Sequence, residues 1–96
     1  MIRSFKDKTT KKVFDREHAR GFPPDIHRRA KRKLNLIDAV DSLEDLKVPP
    51  GNQLEQLSGN RYGQWSIRIN RQWRICFEWR NGDAYNVEIV DYHYMS

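Results

Sequence analysis

The sequence predicts a single α+β domain in which an N-terminal strand and two helices precede an antiparallel β meander. Three observations lead to this prediction. An apolar stripe with helical spacing follows Pro23-Pro24, three alternating apolar and polar runs occupy the last third of the chain, and Asn81-Gly82 joins two of these runs as a hairpin turn. With 96 residues, the chain is expected to form one domain over residues 1–96.

The first 21 residues are predicted to form one strand and one helix. Residues 1–5 alternate between apolar and polar side chains, which is typical of a short strand. Asp7 is expected to cap a helix that continues to about Arg20, because its carboxylate can accept hydrogen bonds from exposed amide groups. Gly21 is expected to end that helix.

A second helix is predicted from Asp25, directly after the two prolines. Its apolar residues recur at intervals of three and four, so they form one stripe; they are Ile26, Ala30, Leu34, Ile37 and Val40. The other face is basic and carries Arg28, Arg29, Lys31, Arg32 and Lys33. Beyond the helix, Ser42 is expected to cap one further short turn.

The meander is predicted from three runs with a period of two. The runs 65–69, 73–79 and 85–89 each place apolar side chains on one face, which is expected to pack on the helices. Arg74 and Cys76 then face away from the helices, on a side that is expected to be polar. Arg68 lies on the same side of its own strand, so Arg68 and Arg74 can converge on one anion.

Positive charge is concentrated near the N-terminus. Residues 1–33 hold twelve Lys or Arg against four Asp or Glu, whereas the whole chain has a net charge of +5. Such a cluster attracts phosphate backbones, but it is equally typical of a solvated helix face.

The cysteine and hydropathy patterns favour the cytoplasm. Cys76 is the single cysteine, so no internal disulfide is possible. The sequence contains neither a signal-like N-terminal region nor an apolar run of membrane-spanning length, and we expect no membrane partner. Because three dispersed histidines and one cysteine lack ligand spacing, we expect no metal and no other cofactor.

The last alternating run ends in Asp91-Tyr92-His93, which offers acid–base chemistry. An unperturbed imidazole titrates near pH ~6.5, so His93 can exchange a proton at neutral pH. A basic chain without an evident metal cluster suggests a polyanionic substrate, and RNA is the first candidate. The alternatives are that His93 is only solvated and that Arg74 is structural, pairing with Glu78 or Glu88 across the sheet.

Four segments resemble the HigB toxins of toxin–antitoxin modules, which belong to the RelE/ParE superfamily. They are Pro50-Gly51-Asn52-x-Leu54-Glu55-x-Leu57, Gly63-Gln64-Trp65-Ser66-Ile67-Arg68, Asn70-x-x-Trp73-Arg74-Ile75-Cys76-Phe77 and Val87-Glu88-Ile89-Val90-Asp91-Tyr92-His93. The resemblance covers essentially the whole chain. It implies a RelE-like fold and a ribosome-dependent endoribonuclease that cuts mRNA in the A site. It also implies a HigA-like helix-turn-helix antitoxin as partner, with operator DNA bound only through the toxin–antitoxin complex.

RNA cleavage without a metal uses the 2′-OH as nucleophile on the adjacent phosphate, which requires proton transfer and positive charge. The expected catalytic residues are Arg74 as phosphate clamp and His93 as proton-transfer group, with Tyr92 for stacking or phosphate placement. Asp91 is expected either to orient His93 or to position the terminal strand, and Glu55 either to act as general base or only to cap or be solvated. The expected contacts to RNA or the ribosome are Arg28, Arg29, Arg32, Lys33, Arg61, Arg68 and Arg71.

The sequence departs at one point from the family that it resembles. Many HigB-like chains carry a histidine and a lysine in the stretch occupied here by Glu55 and Ser58, so the general base stays open and slow chemistry is expected. Two other functions remain as alternatives. One is a ParE-like toxin that inhibits DNA gyrase and cuts no RNA, and the other is a basic RNA-binding module without catalysis.

Overall fold

Two helices pack on one face of a four-stranded antiparallel sheet in the computed structural model, which describes residues 1–92. The sheet order is β1-β2-β3-β4, so each strand pairs with its neighbour in sequence. In chain order the elements are α1 (Lys8–Phe14), α2 (Pro24–Ala39), β1 (Glu55–Gln56), β2 (Trp65–Arg68), β3 (Trp73–Arg80) and β4 (Asp83–Asp91). Three short 3₁₀ helices lie between α2 and β2, at Leu43–Lys47, Pro50–Asn52 and Gly59–Arg61.

The N-terminal strand is not confirmed as a regular strand. Ile2 and Phe5 instead form two isolated parallel bridges, to Ala84 and Val87 of β4. Four backbone hydrogen bonds of 2.7–3.1 Å tie residues 1–6 to β4 at these points. The segment thus lies along the free edge of β4 and covers it, which protects an exposed strand edge from pairing with other chains.

The first helix is capped as predicted but is shorter than predicted. Asp7 Oδ1 accepts a hydrogen bond of 2.7 Å from the Thr10 amide. The helix ends at Phe14 rather than near Arg20, because Arg16 adopts a left-handed backbone with φ of 62°.

The apolar stripe of α2 is confirmed. Ile26, Ala30, Leu34 and Ile37 are all buried against the sheet, and the backbone turns extended at Val40. Ser42 Oγ accepts from the Glu44 amide at 3.2 Å and caps the 3₁₀ helix that follows, as predicted.

The sheet contains one strand more than the three that were predicted. Glu55 and Gln56 pair with Ser66 and Trp65 of β2, so a segment expected to be a connection forms the short edge strand β1. The predicted hairpin turn is confirmed between β3 and β4, where Asn81 and Gly82 have φ of 51° and 83°.

A β-bulge in β4 shifts the predicted alternation. Cys76 pairs with Glu88 and Glu78 pairs with Tyr85, so β4 carries one residue more than β3 in this interval. Asn86 has a φ of 53° at this point. Consequently Ala84, and not Tyr85, is buried with Val87 on the helix side.

The core lies between the helices and the sheet. Its buried apolar residues are Val13, Ala19, Ile26, Ala30, Leu34, Ile37, Leu46, Ile67, Ile69, Ile75, Phe77, Ala84, Val87 and Ile89. No helix within residues 1–92 is long and apolar enough to cross a membrane.

Candidate active site and basic cleft

Arg74 is a buried arginine near the start of the inner strand β3, on the side of the sheet away from the helices. It lies on β3 between Arg68 of β2 and Val90 of β4, and it is only 3% exposed. Its Nε donates to Ser66 Oγ at 2.8 Å, and its Nη2 donates to the backbone carbonyls of Gln53 and Ser66. The guanidinium is therefore fixed in its plane by hydrogen bonds to neutral groups, so its positive charge is not cancelled by these contacts.

Tyr92 and Glu55 lie against this guanidinium. The Arg74 Cζ atom is 5.1 Å from the centre of the Tyr92 ring, and Arg74 Nη2 is 4.0 Å from Glu55 Oε2. The Tyr92 hydroxyl donates to the same Glu55 oxygen at 3.3 Å. Three of the predicted catalytic residues thus come together from β1, β3 and the end of β4.

The backbone explains why these side chains meet. Glu55 pairs with Ser66 on β2, and Ser66 in turn pairs with Cys76, which lies two residues after Arg74 on β3 and so on the same face of the sheet. The Tyr92 amide donates to the Gln72 carbonyl at 2.6 Å, which holds the end of β4 beside the start of β3. Strand β1, which was not predicted from the sequence, therefore positions Glu55 beside Arg74.

Of the other two predicted catalytic residues, the structure describes only Asp91. The Asp91 carboxylate accepts a hydrogen bond of 3.0 Å from Gln72 Nε2, and Asp91 pairs with Trp73 in the sheet register. His93 lies outside the described residues. Ser58, the other position at which the sequence was expected to depart from the family, is exposed and precedes the short helix Gly59–Arg61.

The predicted structural alternative for Arg74 is not what the structure shows. Glu88 pairs with Arg61 at 2.6 Å and with Lys6 at 3.6 Å. Glu78 instead accepts from Asn86 Nδ2 at 2.8 Å. Both Arg74 and Cys76, which were expected on a polar face of the sheet, are buried there.

Five of the predicted RNA-binding residues line one cleft of about 410 Å³. The cleft lies between α2, the loop after it and the β2–β3 turn, and its charged residues are Arg29, Arg32, Lys33, Arg68 and Arg71. Gly51, Ile69 and Asn70 complete its lining. None of the five cations forms an ion pair with a carboxylate of residues 1–92. We name this region the basic cleft.

The positive charge of the basic cleft affects the pKa of Lys33. Partial burial lowers the pKa of its amine below the usual value, and the nearby Arg32 and Arg29 lower it further. Lys33 Nζ also donates to Asn52 Oδ1, which connects α2 to the loop that leads to Gln53. Uncompensated positive charge in a concave region favours an anionic ligand.

The remaining two predicted RNA-binding residues lie elsewhere. Arg28 lines a second cleft, of about 480 Å³, between α1 and α2. Arg61 donates to Gln64 Oε1 at 3.0 Å and to Glu88, so its charge is already paired. Within the part of the chain that the structure describes, no group of three or more His, Cys, Asp or Glu side chains is placed to hold a metal ion.

Sequence reasoning missed Ser66 and Gln53 as neighbours of Arg74. Ser66 appears in the sequence only as a small polar residue within an apolar run, which carries no functional signal. Its proximity to Arg74 follows from the β2–β3 register, and the contact of Gln53 follows from the path of a loop.

Comparison with known proteins identifies the family. Residues 3–93 match the family model of the HigB-like toxins, described as RelE-like toxins of the type II toxin–antitoxin system HigB. The chain is 40% identical to Toxin HigB-1 of Vibrio cholerae serotype O1 over 98% of this chain and 100% of that protein. It is 38% identical to a Proteus vulgaris protein named Endoribonuclease HigB, over 97% of this chain and 100% of that protein.

A solved structure shows the same fold. The YoeB–YefM complex from Staphylococcus aureus contains a chain that matches with a TM-score of 0.61 and 19% identity, covering 98% of this chain and 97% of that one. The sequence match over nearly the full length, together with the α+β architecture, places this chain in the HigB-like toxin family, the RelE-like toxins of type II toxin–antitoxin systems.

Proposed function

We propose that this toxin is an endoribonuclease that cuts mRNA in the A site of the translating ribosome. The observation that carries the proposal is the buried Arg74 guanidinium with Tyr92 and Glu55 against it. These residues occur in a chain whose relatives include a protein named Endoribonuclease HigB. A positive group, a phenol and a carboxylate within one cluster are suited to phosphodiester chemistry.

The proposed reaction is the attack of a 2′ oxygen on the adjacent phosphorus. The bond between phosphorus and the 5′ oxygen breaks, which leaves a 2′,3′-cyclic phosphate and a free 5′-OH. One group must take the proton of the 2′-OH, and another must supply a proton to the 5′ oxygen. Each step of this kind is typically accelerated about 10²–10⁴-fold by a well-placed acid or base.

Arg74 is the proposed clamp for the scissile phosphate. Its charge is fixed in a buried position, where electrostatic interactions are stronger than in water. The Glu55 carboxylate lies 4.0 Å from Nη2 when no RNA is bound. In the proposed reaction, the scissile phosphate displaces Glu55 and becomes the anion beside the guanidinium. This exchange frees Glu55, whose side chain is 44% exposed, to accept a proton from the 2′-OH.

Tyr92, His93 and Asp91 complete the proposed site. The Tyr92 ring covers the guanidinium and offers a surface on which a base can stack. His93 follows directly and is the proposed donor of the proton to the 5′ oxygen, with Asp91 as its orienting partner. The reaction proposed here requires no metal ion and no other cofactor.

The basic cleft is proposed to bind the RNA backbone. Its five cations match a chain of phosphates better than a single small anion, because they extend from α2 to the β2–β3 turn. Arg28 and Arg61 are proposed as further contacts to mRNA or ribosomal RNA. Ribosome binding also places the toxin in the cytoplasm, where translation takes place.

Membership of a toxin–antitoxin family gives this chain an antitoxin as partner. We propose that this antitoxin is HigA-like and carries a helix-turn-helix domain. In that arrangement the toxin approaches operator DNA only as part of the complex.

The test is primer extension on an mRNA translated in vitro with added toxin. We expect cuts that depend on the ribosome and that disappear when the nucleotide 5′ to the cut carries a 2′-O-methyl group. Arg74→Ala and His93→Ala are expected to remove the cuts, and Arg80→Ala, at the far end of β3, serves as the matched arginine control.

This assay, together with a test for DNA breaks in growing cells and a measurement of RNA binding, separates the alternatives. DNA breaks in growing cells without RNA cuts favour a gyrase inhibitor, and RNA binding without cuts favours a non-catalytic module. Equal cleavage by the wild type and by both variants contradicts the assignment of Arg74 and His93.

A further inference from the structure

Ser66 touches the Arg74 side chain through two of its own atoms. Its hydroxyl accepts from Arg74 Nε at 2.8 Å, and its carbonyl accepts from Nη2 at 3.2 Å. Ser66 is 0% exposed, so neither acceptor is in competition with bulk water. The hydroxyl takes no part in the pairing of β2 with its neighbours, which uses backbone groups. Among residues 1–92, the one hydrogen bond of the hydroxyl is to the proposed phosphate clamp.

Gln53 also holds the guanidinium, through the same Nη2 atom that donates to the Ser66 carbonyl. Its backbone is left-handed, with φ of 44° and ψ of 57°, and its carbonyl accepts from Arg74 Nη2. The preceding Asn52 is buried, and its Nδ2 donates to the carbonyls of Leu46 and Val48 at 3.1 and 3.3 Å. The loop that presents the Gln53 carbonyl is thus itself held by a buried amide.

We propose that Ser66 is a positioning residue of the endoribonuclease site, and that it sets which edge of the Arg74 guanidinium faces the scissile phosphate. A guanidinium is planar and carries five N–H donors in fixed directions. The hydrogen bonds from Nε and Nη2 hold two of the three guanidinium nitrogens in place. The N–H donors of the third nitrogen, Nη1, therefore point in one fixed direction. The inference rests on the proposed function, because it assigns Ser66 a role in that reaction.

The role differs from that of a structural buried serine. Loss of the hydroxyl leaves the charge of Arg74 and the two bonds to Nη2 in place, but it removes the bond that holds Nε, so the plane can pivot about Nη2. A misplacement of about 1 Å at a reacting group typically costs about 100-fold in rate. We therefore expect Ser66→Ala to lower kcat about 10- to 100-fold while KM changes little, since most RNA contacts lie in the basic cleft.

The experiment compares Ser66→Ala in two backgrounds, the wild type and Arg74→Lys. Lysine keeps the charge but has no Nε, so the Ser66 hydroxyl has already lost its donor there. Ser66→Ala is expected to lower kcat in the wild type and to have little further effect in the Arg74→Lys background. An equal loss in both backgrounds would mean that Ser66 acts independently of Arg74, and this result overturns the proposal.

The matched control is Thr10→Val, which removes another fully buried hydroxyl. Thr10 Oγ1 accepts from the Ile89 amide at 3.0 Å and is not a hydrogen-bond partner of Arg74. Both substitutions are expected to lower the melting temperature, but only Ser66→Ala is expected to lower kcat. If the loss of kcat is in the same proportion to the loss of melting temperature in both variants, Ser66 is merely structural.

An NMR measurement keeps this proposal distinct from the proposed function. The Arg74 Nε–H proton is expected to exchange slowly in the wild type and quickly in Ser66→Ala, whether or not RNA is cut. A wild type that shows the protected proton but no ribosome-dependent cleavage refutes the endoribonuclease, and the positioning role with it. An active wild type whose Ser66→Ala variant keeps full kcat refutes the positioning role alone.

Discussion

Removing charge from the basic cleft is expected to change the salt dependence of RNA binding by a calculable amount. Each phosphate neutralised on a single strand contributes about −0.7 to the slope of log K against log salt concentration. The cleft holds five cations that form no ion pair within residues 1–92, so the predicted slope is about −3.5 if all five contact phosphates. Between about 50 and 200 mM salt, affinity should then fall by about 100-fold.

The perturbation is the double substitution Arg29→Ala with Arg71→Ala. Both side chains are exposed, so the core stays intact, whereas Lys33 is avoided because it contacts Asn52. Two lost contacts should move the slope to about −2.1, so that the same rise in salt weakens binding only about 20-fold. Fluorescence anisotropy with a short labelled single-stranded RNA measures the slope directly.

The control is the double substitution Arg20→Ala with Arg80→Ala, which changes the net charge equally. Both residues are exposed and lie outside the basic cleft. The Arg80 Cζ atom lies 4.0 Å from the centre of the Tyr85 ring. The control should keep the wild-type slope. If the two double variants shift the slope equally, net charge and not the cleft governs binding, and the reasoning is wrong.

Three further predictions follow from burial and charge. Burial raises the pKa of the Cys76 thiol to about 11, so iodoacetamide should leave it unlabelled in the folded protein near neutral pH and label it after unfolding in urea. Leu34→Ala should lower the free energy of unfolding by about 2–5 kcal/mol in urea titration, because Leu34 is 0% exposed between α2 and the sheet; a loss well under ~1 kcal/mol would contradict this packing. Bound RNA should raise the lowered pKa of Lys33, since an anion favours the charged amine, and an NMR titration of the amine that shows no rise on RNA addition excludes Lys33 from the interface.

Local sequence patterns were sufficient for several elements. The spacing of Ile26, Ala30, Leu34 and Ile37 fixes the buried face of α2, because a helix repeats every 3.6 residues whatever it packs against. Asn81-Gly82 likewise determines a turn through the backbone preferences of two residues.

The prediction was weakest where a side chain or strand depends on a distant partner. Residues 1–5 alternate like a strand, yet only two isolated bridges form. Glu55 and Gln56 carry almost no strand signal, and they become β1 because β2 offers them a free edge. Because of the bulge at Asn86, Ala84 lies on the buried face instead of the predicted Tyr85, a shift that alternation cannot reveal.

In the candidate site too, some features follow from the sequence and others only from the tertiary structure. The sequence by itself determined which chemical groups are present: Arg74, Tyr92, Glu55 and a surplus of basic residues on one helix face. Only the tertiary structure decided that Ser66 and Gln53 hold the guanidinium and that α2 and the β2–β3 turn form one cleft. The physical reason is that strand register and loop path set contacts between residues far apart in the chain, whereas spacing and turn preferences act only between near neighbours.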